Sequence, residues 1–251
     1  MRVLIACEYS GRVRLAFRAR GHDAWSCDLL PAEDGGRHIQ GDVLPLLHDG
    51  WELMIAHPPC THLAVSGARW FAEKRASGEQ QEAIDFFLAL ARAPIPRIAI
   101  ENPVCIMSSV WREPDQVIQP WQFGHEVQKK TRLWLRRLPF LVPTQTVSPK
   151  QNCHEAGTWF MKGGKDRQKN RAKTFTGIAA AMAEQWGSLD GKDEGATMKY
   201  NCFAFKEHVS EHDKITPFCS ILNPTDDNLP QCSKGKCSFF KTWEEFKRGK
   251  K

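Results

Sequence analysis

A chain of 251 residues, 41% of them apolar, is long enough for one full-sized α/β domain with a small appendage, and too apolar to be disordered throughout. No apolar run approaches the roughly eighteen residues of a membrane span, and Arg12, Arg14, Arg18 and Arg20 interrupt the N-terminal apolar pattern, so a signal peptide is not expected and a soluble, intracellular protein is. Nine cysteines, thin at first and dense near the end, do not resemble a secreted disulfide framework and favour a reducing compartment, while a net charge of +6 is modest in size but clustered.

The opening RVLIAC is a short run rich in β-branched residues; the polar turn EYSG follows, then RVRLAFRARG. In that segment Val13, Ala16 and Phe17 recur at helical spacing, arginines fill the other face and Gly21 is a natural C-cap, so the pattern predicts strand, turn, helix. Further strands are predicted in DAWSCDLL, ending at Asp28, in WELMIA (51–56) and in RIAIEN (97–102). Between the last two, QQEAIDFFLALA places Ile84, Phe87, Leu88 and Ala91 on one helical face. RLWLRRLPFLV (132–142) predicts another strand, and TGIAAAMAEQWG (176–187) a closing helix with Ile178, Met182 and Trp186 inward. Strands alternating with helices imply an α/β fold with a doubly wound, Rossmann-like parallel sheet.

SLDGKDEGAT (188–197) has glycine and charge and little to bury, and reads as a linker between a domain of residues 1–187 and a Cys-rich module of residues 198–251. Two basic clusters stand out. KGGKDRQKNRAK (162–173) holds six basic residues against Asp166, and QKKTRLWLRR (128–137) holds five with Trp134 among them. Such clusters attract phosphates, although any one of them is also what a solvated basic face looks like.

Ligands of doubly wound sheets bind beyond the carboxyl ends of the strands. The polar residues of this chain fall there: EYSG after the first strand, Asp28 after the second, Asp42 in GDV, PPC after WELMIA, and Glu101 with Asn102 after the next. Cys60 follows Pro58 and Pro59 in AHPPCTHLAVSG, where the backbone is stiffened and can no longer continue a ladder, so it is placed rather than packed.

HPPCTHLAVSG resembles the Pro-Cys motif of the cytosine carbon-5 methyltransferase superfamily, IENP its Glu-Asn motif, GDV its Gly-Asp motif and QKKTR its Gln-x-Arg-x-Arg motif, in the family's order over roughly residues 1–187. The resemblance is to the short phage and prophage members. It implies methyl transfer from S-adenosylmethionine to carbon 5 of cytosine in DNA, a modification of the restriction-modification kind, in the cytoplasm of a bacterial host. It casts Cys60 as the nucleophile that adds to carbon 6, Glu101 as the group that holds the ring at nitrogen 3 and its amino group, and Arg132 as the contact to the ring's carbonyl oxygen. Cofactor contacts would come from the loop Cys7, Glu8, Tyr9, Ser10 and Gly11, from Asp28 at the ribose, Asp42 at the adenine amino group, and Pro58. Pro59, Asn102 and Lys130 would border the base, Lys130 standing where the family has an arginine.

Two departures qualify the expectation. The loop CEYSG lacks the usual two-glycine form, and only residues 138–175 stand where the family inserts a target-recognition domain. Recognition of short or relaxed sequence follows, with Lys162, Lys165, Arg167, Lys169, Arg171 and Lys173 as phosphate contacts. The alternatives are the same chemistry on RNA or on a free cytosine nucleotide, or an inactive nucleic-acid-binding relative. In the C-terminal module, Cys202, Cys219, Cys232 and Cys237 suit tetrahedral structural zinc, with His208 or His212 as substitute ligands; two disulfides or unliganded thiols are the other readings.

Overall fold

Val3, Leu4, Ile5 and Ala6 are all fully buried. A strand has two faces, so four consecutive buried residues require cover on both. The computed structural model, which describes residues 1–149 and 171–189 and the backbone of two short strands further on, supplies that cover. Strands β1 (Arg2–Ala6), β2 (Asp23–Asp28), β3 (His38–Gln40), β4 (Leu53–Ala56), β5 (Arg97–Asn102), β6 (Gln116–Ile118) and β7 (Thr131–Arg136) form one seven-stranded sheet in the order β3-β2-β1-β4-β5-β7-β6. The pairings from β3 through to β5 are parallel, and β7 runs antiparallel to both β5 and β6. This is the doubly wound α/β class expected from the alternation of elements.

Helices α1 (Arg12–Ala19), α2 (Phe71–Ala76), α3 (Glu79–Arg92), α4 (Met107–Val110) and α5 (Thr176–Gly187) connect and flank the strands. Pleating sorts the core. Leu4, Ala6, Met54, Ala56, Ile98, Ile100 and Trp134 join Phe87 and Leu90 of α3 in one cluster. The alternate residues Val3, Ile5, Leu53, Ile55 and Ala99 turn to the opposite face. Each buried Leu, Ile or Phe contributes about 1.5–3 kcal/mol.

The closing helix α5 has the inward residues its spacing predicts: Ile178, Met182 and Trp186 are buried. Its start is a close fit. A Cβ on Gly177 would lie 1.9 Å from the Phe123 carbonyl oxygen, so Gly177→Ala is expected to lower the urea midpoint and cost about 1–3 kcal/mol of stability.

Two local expectations are corrected. Arg14 does not belong to a solvent-facing arginine stripe. It is wholly buried and paired with Asp34, because Gly11 and Gly36 let the backbone approach its guanidinium. The strand expected over 132–142 stops at Arg136, since Arg137 takes a left-handed conformation (φ 52°) and Pro139 has no N–H to donate. The short strands β3 and β6 carry no apolar run that would announce them.

The chain divides into two compact units, residues 1–136 with 140–188, and residues 137–139 with 189–251. In the second, β8 (Phe205–Val209) and β9 (Ile215–Cys219) pair antiparallel, Phe205 opposite Cys219 and Val209 opposite Ile215. Cys202, Cys232 and Cys237 lie outside the described residues, as does the side chain of Cys219. Among the described residues no cluster of His, Cys, Asp and Glu is arranged for a metal, and no helix is long and apolar enough to cross a membrane.

Candidate active site at the carboxyl ends of the strands

The loop after β1 turns sharply at Cys7, which takes a left-handed conformation (φ 58°), and enters α1 through Gly11 (φ 70°). Glu8 is buried and folds back on the helix start, its Oε1 accepting from Val13 N at 2.7 Å and its Oε2 from Arg14 N at 3.2 Å. It thereby satisfies N–H groups that a helix leaves orphaned, and its charge complements the helix dipole. Ser10 Oγ donates to the same carboxylate at 3.3 Å. Tyr9 is buried, and its carbonyl accepts from Glu33 N at 3.0 Å. Of the loop residues expected to meet a cofactor, Glu8 and Ser10 are thus engaged in building the loop itself.

Asp28 and Asp42 gather beside this loop. Asp28 Oδ1 accepts from Leu30 N at 2.9 Å and Asp42 Oδ1 from Leu44 N at 3.1 Å, which fixes both turns and leaves a second oxygen on each. Burial pushes the Cys27 thiol up to about 11, helped by the charges of Asp28 and Asp42. Cys7 is raised further by burial and by the same two carboxylates together with Cys27. Both thiols are therefore inert near neutrality, and the two carboxylates flank the Cys7 turn.

The second group of residues follows from sheet register. Ala56 and Ile100 are partners across the parallel β4–β5 pair, so the next residues, His57 and Glu101, share a row and turn to the face opposite α3. They meet there: His57 Nδ1 and Glu101 Oε2 are 2.7 Å apart, with both side chains almost wholly buried. Burial works against charge on each, and the pairing overcomes it. Burial lowers His57 while the hydrogen bond and charge of Glu101, with the charge of Glu8, raise it above its ordinary value against Lys129. Burial raises Glu101 while His57 and Lys129 bring it well below the carboxylate range. Both shifts favour the charged forms of the pair. His57 Nε2 is buried with no hydrogen-bond partner among the described residues.

Cys60 sits just beyond, at the start of a turn in which its carbonyl accepts from Leu63 N at 3.1 Å and Ala64 N at 2.8 Å. The thiol is half-buried. Burial and the charge of Glu101 raise it above its ordinary value, while Lys129 and Arg171 act to lower it. Cys60, Glu101 and Lys129 therefore lie within electrostatic reach of one another. Asn102 is buried on the other face, and its Nδ2 donates to the Pro58 carbonyl at 2.9 Å, tying β5 to the Pro-Pro-Cys segment. Pro58 is buried and Pro59 exposed.

Arg132 pairs in register with Asn102 rather than with Glu101, and follows Trp134 onto the α3 face. Its Nη1 donates to Ser108 Oγ, and its charge acts on Cys105. The described structure does not bring it to the Glu101 carboxylate. Lys130 is exposed. The cation at the site is Lys129, whose backbone N–H is held by Gln119 Oε1 at 2.9 Å and whose Nζ donates to the Arg171 carbonyl at 3.2 Å, 5.9 Å from the Phe175 ring centroid. Lys129→Met is expected to raise the Cys60 thiol further and to slow its alkylation several-fold at pH 8, read by peptide mass spectrometry; an unchanged rate would show that the ammonium does not act on the sulfur.

Among the basic residues expected at phosphates, Lys173 is paired with Glu33 at 2.9 Å and mostly buried, and Arg171 lies beside the Cys60 site. Lys162, Lys165, Arg167 and Lys169 lie outside the described residues. His57 and Lys129 are the two site residues that motif reading passes over. Strand parity is the signal for His57, which continues the row of Leu53 and Ile55; Lys129 lies in the irregular segment before β7, where no local pattern marks it over the exposed Lys130.

No protein-family model and no curated protein matches the chain. Among solved structures, one that it resembles is a protein of an E. coli prophage, assigned rather than demonstrated to be a DNA modification methyltransferase; the two share 14% identity and a TM-score of 0.42 over 59% of this chain and 52% of that one. The chain thus spans about half the length of that structure, and a likeness at this score assigns neither family nor chemistry.

Proposed function

We propose that the protein transfers a methyl group from S-adenosylmethionine to carbon 5 of cytosine in DNA through a covalent bond between Cys60 and the ring, with short or relaxed sequence recognition. The observation that carries this reading is the approach of Cys60 and Glu101 from adjacent strand ends, close enough for the carboxylate to act on the thiol, with Lys129 beside both. A half-exposed cysteine in a stiff turn has little to contribute to packing, and an ionised carboxylate buried next to it is costly unless something makes use of it.

Carbon 5 of cytosine is a poor nucleophile. Addition of the Cys60 thiolate to carbon 6 turns the ring into an enamine, which makes carbon 5 nucleophilic. S-adenosylmethionine supplies the electrophilic methyl group when bound. Asp28 and Asp42 have carboxylate oxygens to offer its ribose and adenine, and both act on the left-handed turn at Cys7; these residues suit the group. Glu101 accepts from the ring's amino group, and once carbon 5 has given its proton to water the electrons of that bond re-form the double bond between carbons 5 and 6 and expel Cys60 as thiolate. Lys129 favours the thiolate. The target base must leave the duplex to reach a half-buried thiol.

The protein incubated with tritiated S-adenosylmethionine is expected to label duplex DNA. Label entering RNA or dCMP instead would move the same chemistry to another substrate, and label entering none of the three would defeat the reading.

A further inference from the structure

We infer that His57 is the proton reservoir of the site: paired with Glu101 through Nδ1, it supplies by way of that carboxylate the proton that nitrogen 3 of the ring takes up as Cys60 adds to carbon 6. The inference rests on the reading that Cys60 forms that bond.

The geometry asks for such a role. An imidazole placed at a strand end beside a nucleophile, bonded at 2.7 Å to the Glu101 carboxylate and almost wholly buried, has been withdrawn from water and has a single hydrogen-bond partner among the described residues. Glu101 on its own is a poor proton donor, since its neighbours keep it ionised. A second group must therefore supply the proton, and His57 is in direct hydrogen-bond contact. The groups that face it are Glu101 from β5, Glu8 from the loop after β1 and Lys129 from the segment before β7; the two carboxylates favour its charged form and the ammonium opposes it.

The step balances. As the sulfur–carbon bond forms, the electrons of the double bond between carbons 5 and 6 move into the ring and nitrogen 3 becomes basic. A proton leaves His57 Nδ1, is carried on the Glu101 carboxyl as its hydroxyl turns from the imidazole to the ring, and ends on nitrogen 3. His57 is then neutral and Glu101 again ionised. When Cys60 is later expelled the proton returns by the same route. His57 acts through Glu101, so it is a positioning and proton-supplying residue and not one that touches the base.

The test is the single-turnover rate of adduct formation on a duplex carrying 5-fluorocytosine, between pH 6 and 9.5, for the wild-type protein and His57→Gln. Glutamine keeps a donor toward Glu101 but has no proton to give. The wild-type rate is expected to pass through a maximum and fall on the alkaline side as His57 loses its proton. The variant is expected to be about a hundred-fold slower or more at neutral pH, to rise steadily with pH as the thiol ionises, and to bind the duplex as tightly as the wild type. Equal rates, or an alkaline fall shared by both proteins, would overturn the inference and leave the methyl-transfer reading standing. No adduct with the wild-type protein would remove both. Should the variant fold poorly, imidazole ¹⁵N shifts of the wild-type protein decide the matter: a charged His57 at pH 7 supports the reservoir, and a neutral one overturns it.

Discussion

Cys60→Ser is expected to lower methyl transfer by at least about a thousand-fold while leaving the fold and the affinity for DNA intact. The reason lies in both packing and chemistry. The side chain is half-buried in a turn held by backbone hydrogen bonds from Leu63 and Ala64, so exchanging sulfur for oxygen disturbs little of the core. A serine hydroxyl, however, ionises far above any accessible pH and has no general base bonded to it here, since the nearby imidazole is already committed to Glu101. The measurement is tritium transfer to duplex DNA alongside a thermal melt and a binding curve. A serine variant that still methylates at a tenth of the wild-type rate would remove covalent catalysis from the account.

The second large effect is expected at Glu101. Glu101→Ala leaves His57 buried with no partner for Nδ1, and removing one member of a buried ion pair typically costs about 3–5 kcal/mol. The pH dependence of that loss follows from the directions of the two shifts. Glu101 is depressed, so its contribution is present above its unfolded value of about 4.3 and is lost as pH falls through the lower folded value. His57 is raised, so its contribution is fully present below about 6.5 and is lost as pH rises through the higher folded value. The difference in unfolding free energy between wild type and variant is therefore expected to be greatest between about pH 4.3 and 6.5 and to shrink on either side. Urea denaturation at a series of pH values reads it directly. A difference that does not vary with pH would mean that the pair is not ionic.

The parts of the fold that could be read from sequence are those with strong local signals. β1, β4 and β5 are buried on both faces and appear as unbroken apolar runs, and α3 and α5 carry clear helical faces. His38–Gln40 and Gln116–Ile118 are three-residue strands formed by pairing with a neighbour, and nothing in HIQ or QVI announces that. Arg14 shows a different limit: its burial depends on Asp34, twenty residues away, and on two glycines that make room, none of which helical periodicity can register.

The candidate site divides in the same way. Cys60 and Glu101 were visible because their motifs are local, and the parallel register brings them to neighbouring strand ends. Arg132 was visible as a motif residue, but which face of β7 it occupies depends on its pairing with Asn102. Lys129, in the irregular segment before β7, is hidden behind the more motif-like Lys130, and His57, although strand parity points it inward, is overshadowed by the two prolines that follow it. Which of two adjacent residues turns inward is a property of register, and register is set by partners that the local sequence does not name.

The most direct test of covalent chemistry at position 60 is to trap it. A duplex with 5-fluorocytosine replacing every cytosine of one strand, incubated with the protein and S-adenosylmethionine, leaves fluorine where a proton would depart and so blocks release. Mass spectrometry of the digested product is expected to find the pyrimidine attached to the peptide containing Cys60. Attachment at Cys105 or another residue, or no attachment at all, would contradict the account.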